Sequence, residues 1–136
     1  MATYNKFNQT VEDMANGVYN CATDQFTVAL TTGAPVATNT VLANLTEISY
    51  TNLSSRNLTT ASSGQTSGTF TQLFSDLVLT ASGGPVAAFR YITIYDNTPT
   101  SPADPLLCFY DFGSSLVLAD GETLTIDFTT STFTLA

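Results

Sequence analysis

The chain is predicted to be an all-β protein, an antiparallel β-sandwich or jelly-roll-like domain carrying one N-terminal α-helix. Three observations in its 136 residues predict this. Segments 26–31, 89–95 and 123–129 alternate threonine with aliphatic or aromatic residues, the two-residue period that sends successive side chains to opposite faces of a strand. Turn signals built from Gly, Pro and Asp separate such segments at short intervals, as in sandwiches, jelly rolls and barrels. Only residues 4–18 hold a helical period.

In chain order, Phe7, Val11, Met14, Ala15 and Val18 fall on one stripe of a helix over 4–18, with Gly17 and Asn20 at its end. Such a helix lies on the edge or base of the β body, or forms an arm that docks on a partner. One domain is expected over 1–136, with the helix in 1–20 and the β-sandwich body in 21–136. Strands are expected near 25–32, 39–49, 55–61, 67–80, 88–96, 106–112, 114–118, 122–129 and 132–135. Asp120 and Gly121 form a tight-turn signal, because Gly121 can take positive φ, so the strands on either side of it are expected to pair. Residues 97–105 hold three prolines, which stiffen a loop and strip it of backbone donors, and the loop is expected to project. Residues 51–69 are poor in apolar side chains and read as a mobile loop or an exposed edge.

Composition narrows the function. Charged residues make up 10% of the chain, against about 25% in an ordinary soluble domain. Thr, Ser and Asn solvate the surface instead, leaving little charge to repel a second copy or to desolvate when a face is covered. Eleven acidic against three basic residues, a net charge of -8, argue against nucleic acid and anionic lipid as partners. No apolar run is long enough to span a bilayer, and the first residues lack a signal-peptide layout, so synthesis and folding in a cytoplasm are expected. The Asn-x-Ser/Thr triplets at Asn8, Asn44, Asn52 and Asn57 follow from composition. Cys21 and Cys108 are too few for a disulfide framework, and Cys108 sits in an apolar run as a buried thiol would.

The toolkit of catalysis is thin, and no enzyme is expected. The absence of histidine removes Ser-His-Asp and Cys-His sites, and no Gly-rich phosphate loop opens a helix. The carboxylates Asp96, Asp111, Asp120, Glu122 and Asp127 are the candidates for a hydrolase pair, each with an ordinary turn or strand explanation. No cofactor is expected; calcium is the metal for which loop 96–104 has oxygen donors, without EF-hand spacing. Phe89, Tyr91, Tyr95, Phe109, Tyr110 and Phe112 are the candidates for an aromatic platform for sugars, but there is no tryptophan, and Phe89, Tyr91 and Tyr95 share one parity and Ile92 and Ile94 the other, which reads as core packing.

Several stretches resemble small structural proteins of tailed bacteriophages. They are the opening Met1-Ala-Thr-Tyr-Asn-Lys-Phe-Asn with Val11-Glu-Asp-Met-Ala-Asn-Gly, Phe26-Thr-Val-Ala-Leu-Thr-Thr-Gly-Ala-Pro, Tyr110-Asp-Phe-Gly-Ser-Ser, and Leu118-Ala-Asp-Gly-Glu-Thr-Leu-Thr-Ile-Asp-Phe. Residues 49–60, rich here in Asn and Ser, depart from that pattern. The resemblance implies a virion component: a capsid decoration, or cement, protein on the outside of the head. Its partners would be the major capsid protein and further copies of itself, as a trimer. The alternative it leaves open is a tail or head-surface module that recognises a host glycan or receptor. Under either role the contacts are expected from the helix and the proline-rich loop: Tyr4, Phe7, Val11, Met14, Pro99 and Pro102.

Overall fold

The computed structural model describes residues 3–129 and 132–136 and is mostly strand, with antiparallel pairing throughout. Its elements are β1 (Thr3–Lys6), α1 (Gln9–Ala15), β2 (Phe26–Thr31), a 3-10 turn at Leu42–Asn44, β3 (Thr60–Thr66), β4 (Thr69–Phe74), β5 (Leu77–Thr80), β6 (Phe89–Asp96), β7 (Leu106–Leu116), β8 (Thr123–Ile126) and β9 (Phe133–Leu135). One layer is a four-stranded sheet in the order β1-β7-β6-β2. Facing it, β4 runs on into β5 and both pair with the β8–β9 segment, with β3 on the outer side of β4. Gln72 opposes Phe133 and Leu77 opposes Ile126, so the β8–β9 side has two more residues between these pairs than the β4–β5 side.

The core lies between the layers, where Phe26, Val28 and Leu30 of β2 meet Phe74, Leu79, Phe89, Ile92 and Ile94. Every residue of β2 is buried. Its alternate side chains Thr27 and Thr31 lie under the 32–58 segment, which also closes the open edge of β2 through Val28 N to Arg56 O, Leu58 N to Phe26 O and Ile48 N to Leu30 O, each 2.9–3.0 Å. Arg56 pins that segment, donating to Val28 O at 2.6 Å and lying 3.6 Å over the Tyr50 ring. A covered edge cannot template pairing with another chain.

Several expectations are corrected. The helix over 4–18 is a seven-residue helix preceded by a strand, because Tyr4, Asn5 and Lys6 pair with Tyr110, Phe109 and Cys108 of β7; Met1 and Ala2, at the start of the expected 1–20 helical region, lie outside the described residues. The stripe fails too. α1 buries Thr10 and Asp13, Thr10 Oγ1 donating to Leu107 O at 2.8 Å, and turns Val11 outward. Phe7 lies ahead of the helix and plugs the outer face of the four-stranded sheet with Ala29, Tyr95 and Leu106. The expected strand at 39–49 is the 3-10 turn with isolated bridges, its apolar residues Leu42 and Leu45 packing on that outer face. The strand expected at 55–61 begins at Thr60, and the one expected over 67–80 breaks at Ser75 and Asp76.

Gly121 does take positive φ, at 84°, but the turn it makes does not close a hairpin. β8 pairs with β5, and residues 106–116 form one long strand through Gly113, whose φ of 100° only glycine adopts without strain. A register shift between Phe89 and Tyr91 moves Phe89 onto the inner face beside Ile92, opposite to its expected parity. Strand β3, within the Asn- and Ser-rich 51–69 stretch, is an exposed edge.

Candidate interaction surface

The two layers do not close against each other along the side where β1 meets β8 and β9, and a trough opens there. Tyr4, projecting from β1, divides it into two grooves. The larger, about 480 Å³, has Ile92, Leu124, Ile126 and Phe128 along its floor. Tyr4, Tyr110 and Phe112 form its aromatic wall, the first two rings edge-on at 5.7 Å, while Thr125 and Asp127 stand on its rim. The smaller groove, about 280 Å³, runs between α1 and β9, with Lys6, Val11 and Met14 on one side and Phe133 and Leu135 on the other. Four side chains here are large, apolar and exposed: Tyr4 at 40%, Phe112 at 40%, Val11 at 56% and Leu135 at 54%. A phenol is uncharged at neutral pH, and burial raises that of Tyr110 further, so the trough's charged side chains are Lys6 and Asp127.

Of the residues expected to make contacts, Tyr4, Val11 and Met14 come together in this trough. Phe7 does not, being fully buried. Pro99 is half-buried and Pro102 exposed, in a loop that does not reach the trough. That loop is held at its base by Asn97 N to Gln25 O at 2.8 Å and Asp96 N to Pro105 O at 3.0 Å, and it stands at one end of the four-stranded sheet. Tyr110 and Phe112, of the six residues weighed as an aromatic platform, also line it. Phe133 and Leu135 were not anticipated; their short C-terminal segment shows nothing in the sequence beyond strand alternation.

The carboxylates scatter. Asp111 takes a bidentate bond from Arg90 at 2.8 and 2.9 Å, which holds its carboxyl below the usual range, and also accepts Gly113 N. Asp120 accepts Gly83 N and Glu122 accepts Ala119 N, both as turn supports. Asp96, fully buried at the end of β6, lies against Asp24; burial and that neighbour push its carboxyl up to about 7. Among the described residues no three His, Cys, Asp or Glu side chains gather into a group able to hold a metal ion.

Cys21 and Cys108 are free and buried, and burial pushes their thiols up to about 11 and about 12. A disulfide-exchange reagent at neutral pH is therefore expected to label Cys108, at 0% exposure, only as fast as the fold opens globally, while Cys21, at 8%, reacts first. Equal, rapid labelling of both thiols in the native protein is the contrary result.

No family model, curated protein or solved structure matches the chain. Among the described residues no helix is long and apolar enough to cross a membrane.

Proposed function

We propose that the chain is a virion structural protein of the decoration type, binding the outer surface of a phage head and stabilising the lattice of major capsid subunits. The observation that carries this reading is an association surface on a charge-poor sandwich: the trough around Tyr4, where Tyr4, Phe112, Val11 and Leu135 stand exposed. Clustered exposed apolar side chains of this kind mark a site of association, with the shell or with further copies of the chain. The sequence resemblance to tailed-phage structural proteins supports a phage head as the particle. A ligand that binds only the assembled shell favours assembly by mass action, and many repeated sites multiply a modest interface. Undecorated heads saturated with the purified protein are expected to survive heating or osmotic shock that ruptures bare heads; equal survival at saturation ends the reading.

A second reading, recognition of a host glycan, has one observation in its favour: three aromatic rings of the larger groove stand beside the Thr125 hydroxyl and the Asp127 carboxylate. Such a site predicts binding to host cells and localisation at one vertex or the tail tip, which immunogold labelling of particles separates from a whole-shell pattern.

A further inference from the structure

The trough has a polarity that says what fits it. Tyr4 lines both grooves, Lys6 only the smaller and Asp127 only the larger, so the two charges lie in different grooves with the tyrosine between them. Both are exposed, and among the described residues neither makes an ion pair. The apolar side chains divide in the same way, Phe112 on the Asp127 side and Val11 with Leu135 on the Lys6 side. A surface with a positive end, an aromatic centre and a negative end becomes its own complement when rotated by half a turn about that centre.

We infer that the trough is an interface between two copies of this chain, related by a two-fold axis at Tyr4. In that arrangement the two Tyr4 rings meet at the axis. Lys6 of each copy faces the partner's Asp127, and Phe112 of each packs toward the partner's Val11 and Leu135. Each copy carries a net charge of -8, a repulsion that the two Lys6–Asp127 contacts and the apolar packing outweigh and that added salt screens. The inference rests on reading the trough as a protein-binding surface and replaces the expected trimer with a pair. It leaves the exposed Pro102 loop, outside the trough, as the surface free to meet the shell.

The test is analytical ultracentrifugation of the free protein, with no capsid present, up to about 100 μM, where a micromolar dimer is fully formed. A concentration-dependent dimer is expected. Lys6→Glu alone and Asp127→Lys alone each turn two attractive contacts into repulsive ones and should weaken it about 10-fold at low salt. Lys6→Glu combined with Asp127→Lys exchanges the ends of the trough and should restore the dimer to within about twofold of the parent. Val11→Asp, at an exposed position, should abolish it while far- and near-UV circular dichroism stay unchanged. A monomer throughout, a trimer, or a dimer that ignores Val11→Asp or is not rescued by the double exchange overturns the inference. A protein that pairs but does not protect heads keeps the pairing and loses the decoration reading; one that protects heads as a monomer does the reverse.

Discussion

Phe74→Ala is expected to destabilise the fold by about 3–5 kcal/mol, enough to consume much of the stability of a domain of this size. Phe74 is 1% exposed at the end of β4, just before the Ser75–Asp76 break that precedes β5. Its ring lies 5.2 Å from Phe26 of the opposite layer and meets Phe128 edge-on at 5.7 Å, so one side chain joins both layers to the segment after β8. Truncation removes the aromatic pairs along with the buried area, and the surrounding strands, hydrogen-bonded on both sides, cannot collapse into the space. Urea denaturation followed by tyrosine fluorescence measures the loss. Phe74→Leu, which keeps most of the volume, should cost less than half as much; equal costs for the two would show that the contact between layers is not made as described.

The second large effect has the opposite sign. Asp96 is fully buried; its Oδ1 accepts Thr98 N at 3.0 Å while its Oδ2 has no partner among the described residues except the neighbouring Asp24 carboxyl. Burial disfavours the charged form of Asp96, and the hydrogen bond to the neighbouring Asp24 carboxyl favours its protonated form, which is why the group's value is raised from 3.8 to about 7. A raised carboxyl in the folded state means that folding takes up protons. The stability it permits is complete below about pH 4 and is lost as pH rises through the interval from about 4 to about 7. Asp96→Asn keeps the acceptor for Thr98 N and supplies a permanent N–H toward Asp24. The variant should match the parent near pH 4 and exceed it by on the order of 2 kcal/mol at pH 8. Parallel stability curves for the two proteins across that range would refute the pair. Asp24, Asp104, Tyr19 and Cys21 are the titratable groups near Asp96, and the thiol and phenol stay neutral throughout.

The class of fold was legible because alternation is a local property. Strands expected at 25–32 and 88–96 are found at Phe26–Thr31 and Phe89–Asp96, where β-branched and aromatic residues repeat every second position. Partner choice was not legible. Gly121 makes its turn, but the chain leaving it joins β5 rather than the strand behind it, since a turn fixes direction and the core decides which strand is met. The N-terminal helix was overextended for a related reason: Phe7, Val11 and Met14 fit a helical period, yet Tyr4–Lys6 gains a full ladder with β7, and that non-local gain is invisible in a window of fifteen residues. Within α1, Thr10 replaced the apolar stripe as the buried contact by reaching the Leu106 and Leu107 carbonyls. Tyr4, Val11 and Met14 were thus anticipated as contact residues on a helical stripe, whereas the geometry that exposes them is an open side of the sandwich.

The pairing of β1 with β7 sets when this protein can become itself. Thr3 waits for Asp111, over a hundred residues downstream, and β2 waits for β6 across more than sixty. A nascent chain leaving the ribosome at about 5–20 residues per second therefore carries its first strands unmatched for several seconds, with Phe26, Val28 and Leu30 in the open. The two-layer core therefore closes only after β7 has been made, and until then the apolar side chains of β2 are without the partners that bury them.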